Sequence, residues 1–391
     1  MRMLRVPSML VVISAALGLY GQQAASGSSM NVLWRHPLNN GTLPGAAQGT
    51  PAIGSDGSIY APMGGTLLAL APEGSEKWRL VLEKPSAAAC LQDIAVGSDG
   101  TIYVVSAAVY AVNPDGFLKW KIEGVASQGR PVAVADNGNI YFIRAGILCM
   151  ADAQGKVHWE RSTGGPGGPG PIIGRDGTIY TGGVKHGAGT AQVHAFSTDG
   201  TLKWSFDIRE RPFPTALAAD DSGRVYSAVV SNLYALDADG TGAWVFKAPA
   251  PLWCGAAVGP NHVVYVGSMD GTLYAIGDRG EVNWKFLSKG AIASTPTLDS
   301  AGNIYFTSRD GNLYCLGSEG ALRHVQRLTK GYGTPIISPN GIMYLQDAGV
   351  FYAIRALAGP ATFDWPVRRH DASGTGRISS TAHRAAGRNA D

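Results

Sequence analysis

Charge is scarce in this sequence. Only 16% of its 391 residues are Asp, Glu, Lys or Arg, and the formal net charge of +3 contains no basic block. A nucleic-acid binder would carry a concentrated positive footprint, so that class is excluded. Cysteine is limited to Cys90, Cys149, Cys254 and Cys315, none adjacent to another. No long segment shows the 3.6-residue periodicity of an amphipathic helix. The signatures HExxH, GxSxG and GxxxxGK[ST] do not occur, and the eight histidines show no metal-ligand spacing. One formal GxGxxG match, GPGGPG at 165–170, leads into the strand-like PIIG rather than a helix. Pro166 and Pro169 remove two of its backbone donors, so it reads as a connecting loop and not a phosphate cradle.

What the chain does have is 53 glycines and a phrase that returns eight times. It reads GSDGSIY, GSDGTIY, ADNGNIY, GRDGTIY, DDSGRVY, GPNHVVY, DSAGNIY and SPNGIMY. Each copy ends on a tyrosine: Tyr60, Tyr103, Tyr141, Tyr180, Tyr226, Tyr265, Tyr305 and Tyr344. A period near 40 residues, with turn residues between short β-branched and aromatic runs, marks a β-propeller with one four-stranded blade per repeat. In the sixth unit the four segments are CGAAV, HVVYVG, TLYAI and EVNWKF. The fourth segment carries a second signature, a turn glycine followed four residues later by tryptophan: Trp78, Trp120, Trp159, Trp204, Trp244 and Trp284. The seventh copy places His324 there instead. Large apolar rings with one polar handle, at fixed blade positions, are expected to pack between neighbouring blades.

The two ends of the chain complete each other. The eighth repeat supplies three strands, and NVLWRHP at 31–37, with Trp34 in the tryptophan position, matches the missing fourth. The expected fold is therefore all-β: an eight-bladed propeller of four-stranded antiparallel blades over 31–355, closed by the N-terminal strand, with no free edge. Residues 1–25 read as an export signal, with Arg2 and Arg5 ahead of an apolar stretch from Val6 to Tyr20. Losing Arg2 and Arg5 would lower the formal charge from +3 to +1. Residues 356–391 form a tail in which 365–376 is a possible cap on the ring and 377–391 is expected to be disordered. Counting by repeat, Cys149 and Cys315 fall where other units have Ala69, Ala111, Ala195, Ala235, Ala275 and Ala353, a position for a small buried side chain. Cys90 and Cys254 fall four blades apart, so no disulfide is expected.

The combination of xDGxIY, LYAL, PDGxxxW and a closing N-terminal strand resembles the pyrroloquinoline-quinone-like propeller repeat, over about residues 31–355. One group within that family, the quinoprotein dehydrogenases, binds the quinone and a calcium ion on the propeller axis. Another group is non-catalytic and exported, such as the bacterial outer-membrane assembly factor of the BamB type. The dehydrogenases are larger and carry adjacent cysteines over the quinone. In length and blade count this chain is closer to the non-catalytic group. With no cysteine before Cys90, it departs from the assembly factor's lipid anchor. The tail segment WPVRRHDASGTG resembles a WPxxRxDxxxTG flank of such propellers through Trp365, Arg369, Asp371 and Thr375.

Chemistry is left to the loops between blades and between second and third strands, which ring the channel mouth. The least regular of these carry Lys185, His186, Arg209, Arg211, Phe213, Trp253, Lys330 and Tyr332. Aromatic residues with arginine are the composition of interface anchors. The Asp270-Gly271 and Asp310-Gly311 pairs read as hairpin turns, not metal carboxylates. The expectation is an exported, periplasmic or secreted, monomeric scaffold with no catalytic residue, no metal and no membrane span after signal cleavage. It would bind a protein or peptide partner of the cell envelope. The alternative is an oxidoreductase using pyrroloquinoline quinone and calcium on alcohols or sugars, with Trp253 as the ring-stacking platform.

Overall fold

A computed structural model describes residues 30–38, 49–83, 91, 93–125, 130–165, 168–185, 187–210, 216–361, 371 and 374. These residues form eight four-stranded antiparallel sheets. Blade 1 is Ala52–Ile53, Ile59–Met63, Thr66–Leu70 and Glu76–Val81, in that order from the axis outward. Blade 8 is Ile336–Ile337, Ile342–Asp347 and Val350–Arg355, completed by Val32–Pro37. Val32–Pro37 lies antiparallel to Val350–Arg355, with Trp34 opposite Ala353. The closure expected from NVLWRHP is thus the observed one.

The repeat's residue choices follow from one row that crosses each blade. In blade 1 it runs Ala52, Tyr60, Ala69, Trp78. The alanine on the third strand is small enough for the tyrosine and tryptophan rings on either side to meet above it. The Tyr60 and Trp78 ring centroids are 5.9 Å apart, and the same contact recurs at 5.8 Å between Tyr180 and Trp204. Cys315 takes this place in blade 7, between Tyr305 and His324. Cys149 does not take it in blade 3. There Met150 pairs with Tyr141 and Trp159, while Cys149 pairs with Phe142 and Glu160. The register is set by the turn glycine, Gly155, and the flexible thioether of Met150 fits beside the rings where alanine usually stands. Cys149, Cys254 and Cys315 are buried, unbridged thiols, and burial pushes Cys149 and Cys315 up to about 12. Cys90 lies outside the described residues.

Adjacent blades are joined by the tryptophans. Each donates its indole N–H to a backbone carbonyl in the third-to-fourth-strand turn of the next blade. Trp34 reaches Pro72, Trp78 reaches Pro114, Trp120 reaches Ala153 and Trp159 reaches Thr198. Trp204 reaches Ala238, Trp244 reaches Asp278 and Trp284 reaches Ser318, all seven bonds between 2.8 and 3.1 Å. The turn's glycine lies flat against the same ring; a Cβ on Gly240 would stand 2.6 Å from Trp204, and its φ of +88° suits glycine alone. His324 now has a reason. The blade that follows it is blade 8, whose fourth strand comes from the N-terminus, so no third-to-fourth turn exists there for an indole to bond.

Two faces result. First-to-second and third-to-fourth turns make one, here the turn face. Inter-blade linkers and second-to-third turns make the other, the linker face, tied by backbone bonds such as Met269 to Pro251 and Arg309 to Ala291, each 2.9 Å. The third strands hold the linkers: the Tyr110 hydroxyl donates to Glu83 at 2.6 Å, Tyr234 donates to Glu210, and Tyr352 bonds Thr329 at 2.9 Å. In blade 4 the residue at this position is His194, buried, with Nδ1 2.7 Å from Ser205 Oγ and Nε2 beside the Thr163 backbone without a full hydrogen bond. Burial lowers its pKa below 6.5. The folded protein then binds fewer protons here than the unfolded chain, so this site's share of stability is present above pH 6.5 and drains away as pH falls below it. Denaturation midpoints should decline between pH 7 and 5, and His194→Gln should flatten that decline; an identical slope in the variant would remove His194 as its source.

After the last strand the chain crosses to blade 7. Leu357 N–H donates to the Tyr305 hydroxyl at 2.9 Å, and Pro360 bridges Asp299. Gly374 is buried against the Ile94 carbonyl of blade 2, in a left-handed conformation (φ +66°) that its missing side chain permits. Trp365, Arg369 and Thr375, like residues 1–29, lie outside the described residues. Among the described residues no helix is long and apolar enough to cross a membrane.

Candidate functional site

The linker face offers its richest surface on blades 6 to 8. Trp253 and Tyr332 hold the same repeat position, each twelve residues before the tyrosine of its blade, Tyr265 and Tyr344. Both are displayed rather than packed, Trp253 with 57% and Tyr332 with 46% of its surface exposed. The Arg309 guanidinium lies over the Tyr332 ring, 5.2 Å from its centroid. Lys330 is exposed on the same linker, Lys289 on the linker before it, and Leu287 at the rim of blade 6.

A buried carboxylate fixes this linker. Asp347, fully buried at the end of blade 8's second strand, accepts the amides of Thr329 at 2.9 Å, Lys330 at 2.7 Å and Tyr332 at 3.0 Å. Three donors converging on one carboxylate hold the linker backbone, and so the Tyr332 and Lys330 side chains, in place. Asp310 works similarly in blade 7, accepting the Tyr314 hydroxyl and the amides of Asn312 and Lys289. With Gly311 at φ +85° it is the turn expected of Asp-Gly, as is Asp270 with Gly271 at φ +89°.

The five sequence candidates among the described residues do not form one cluster. Lys185 and the exposed Arg209 sit at the outer rim of blade 4, where Lys185 is ion-paired with Asp207, which also accepts Gln192. Trp253, Lys330 and Tyr332 lie on the linkers leading into blades 6 and 8. His186, Arg211 and Phe213 lie outside the described residues. Sequence reading passed over Arg309 and Lys289, in a turn and a linker of ordinary length, and Asp347, at the end of a strand. A positive residue directly before an Asp-Gly turn was the available signal for Arg309.

On the turn face, Asp220, Asp221 and His262 bring three potential metal ligands together. Asp220 is already saturated: one oxygen accepts from Ser222 and the Arg224 amide, the other from the Tyr226 hydroxyl at 2.9 Å and His262 Nδ1 at 2.8 Å. Asp299 has the same role in blade 7, accepting the Tyr305 hydroxyl at 2.9 Å and three donors from Ala301 and Asn303. Where other blades place glycine against the tyrosine ring, as Gly54 and Gly174 do, these two place a carboxylate that bonds its hydroxyl. The arrangement is a lock between turns, with His262 carrying it from blade 6 to blade 5.

A family model described as outer membrane protein assembly factor BamB matches residues 22–172, 105–231 and 229–302. Among solved structures, BamB from Moraxella catarrhalis is similar at a TM-score of 0.65 and 17% identity, over 83% of this chain and 99% of that one. Sqt1 of Saccharomyces cerevisiae superposes at 0.66 with 11% identity, over 84% and 100%. The Dos1 propeller superposes at 0.69 with 11% identity, over 85% and 96%. Likeness at these identities is likeness of fold. No curated protein sequence matches the chain.

Proposed function

Since this chain belongs to the family of the outer membrane protein assembly factor BamB, we propose that it is an exported scaffold that binds a protein or peptide partner through its linker face. The observation that carries this reading is the display of Trp253 and Tyr332 on anchored linkers, the first held by backbone bonds such as Leu252 to Val230 and Met269 to Pro251, the second by the buried Asp347 carboxylate. Exposed aromatics on a rigid support lose little entropy on binding, which is what an interface anchor needs. Export to the periplasm and a role in envelope assembly belong to the same proposal and rest on family membership.

The quinone-and-calcium alternative asks for acidic and amide ligands grouped near the propeller axis. Among the described carboxylates of the linker face, Glu83, Glu210, Asp310 and Asp347 are occupied by side-chain, turn and linker donors, and the one three-residue ligand group among the described residues lies on the turn face. These residues do not fit that group, and no catalytic step is derived through it.

A photo-reactive phenylalanine analogue placed at position 253, and separately at Phe117 on the turn face, tests the proposal. Phe117 is 72% exposed and serves as the control. A discrete crosslinked envelope protein at 253 and none at 117 is expected. Identical products at both positions would count against a linker-face partner, and saturable quinone binding that raises the melting temperature would replace the scaffold reading.

A further inference from the structure

Cations on the linker face are treated differently on its two sides. At the rims of blades 2 to 4 three of them have acidic partners: Lys121 with Glu123, Arg144 with Glu160, Lys185 with Asp207. On blades 6 to 8, Lys289, Arg309, Arg327 and Lys330 make no ion pair among the described residues. Two carboxylates of this sector bond its own linker and turn donors, and Asp270, in the second-to-third turn of blade 6, is its exposed acid. Asp347 is fully buried under three linker amides, and Asp310 accepts the Tyr314 hydroxyl and two amides. Arg327 reaches only the Asp310 carbonyl oxygen. Four cations against the one exposed Asp270 leave an excess of positive charge facing outward beside the aromatic surfaces of Trp253 and Tyr332 and the exposed Leu287.

We infer that the linker face of blades 6 to 8 docks an acidic segment of a partner protein that also carries apolar side chains. Its carboxylates would meet Lys289, Arg309 and Lys330, and its apolar residues would cover Trp253 and Tyr332. This rests on the linker-face reading above and narrows it to one sector and one partner chemistry. Charges left unpaired in the free protein and displayed on a rigid support steer an oppositely charged partner and fix its register. Arg309 stacked on Tyr332 keeps its guanidinium plane ordered for a carboxylate while the ring's other surface stays available.

Three synthetic dodecapeptides of matched length and hydrophobicity test the inference against the full-length protein: Glu/Leu/Phe, Lys/Leu/Phe and Ser/Leu/Phe. Binding is read by peptide fluorescence anisotropy at low and at physiological salt. The acidic peptide is expected to bind, with affinity falling as salt rises. Arg309→Glu with Lys330→Glu should weaken it by at least about tenfold, and Trp253→Ala should weaken it without changing the salt dependence. Lys121→Gln, at a paired cation on the far side, should leave it unchanged. Preference for the lysine or serine peptide would overturn the acidic partner while leaving a linker-face site standing. Equal binding by the charge-reversed variant would remove blades 6 to 8 as the sector. No binding of any peptide, with crosslinks still forming at position 253, would overturn this inference alone.

Discussion

Trp204→Ala is expected to destabilise the propeller by about 3–5 kcal/mol, the range for truncating a large aromatic in a packed site. Three losses coincide at this one side chain. The indole N–H gives up its 2.8 Å bond to the Ala238 carbonyl in blade 5. The ring leaves Tyr180, whose centroid is 5.8 Å away, and it uncovers Gly240, which lies flat against it. Because the turn glycine and the ring are mutually fitted, the turn cannot collapse into the gap without moving its own blade. A denaturant titration should show a lower midpoint with little change in slope. A loss below about 0.5 kcal/mol, the usual range of a surface substitution, would mean the ring is decoration and not the joint between blades. The companion experiment runs the other way. His324→Trp installs the repeat's own residue in blade 7, yet it should not stabilise, because blade 8 presents no third-to-fourth turn to receive the indole.

That pair of variants shows where sequence reasoning reaches and where it stops. Blade number, the tyrosine and tryptophan rows and the closing strand at Trp34 were all legible, because a repeat averages its own signal over eight copies. His324 was legible as a departure, but its cause lies in topology: the residue that ought to receive its hydrogen bond belongs to a turn that the ring closure deletes. Cys149 went astray for a local reason, since counting from the tyrosine gives a different position from counting from Gly155, and the turn glycine sets the register. Asp220 and Asp299 stood out only as two acids among glycines. Nothing in the letters says that each would turn inward to bond Tyr226 or Tyr305. At the linker face, Trp253 and Tyr332 could be picked out as aromatics in irregular loops. The charge pattern around them could not, because whether a lysine is paired depends on which rims the blades bring together.

Asp347→Ala should cost about 3 kcal/mol, since hydrogen bonds to a charged group contribute about 1.5–3 kcal/mol each and the freed linker recovers part of the loss by turning its amides to water. The carboxylate is fully buried and serves the amides of Thr329, Lys330 and Tyr332 together, so alanine removes all three acceptors at once. Asp347→Asn retains one carbonyl oxygen and presents an N–H₂ where a second acceptor stood, so it should fall between wild type and alanine. The consequence for function is larger than the stability figure implies. Tyr332 keeps its place over Arg309, 5.2 Å from ring centroid to guanidinium, only while the linker backbone is held. A variant that still closes its ring but has a loose linker would therefore lose the aromatic and cationic surface of blades 7 and 8 while keeping Trp253 on the linker into blade 6. Hydrogen exchange resolves the two effects. Amides 329, 330 and 332 should exchange faster in Asp347→Ala, while strand amides such as those of Tyr305 and Tyr344 remain protected. If those three amides keep their wild-type protection, the carboxylate does not hold the linker, and the order of Tyr332 must come from the arginine stacked upon it.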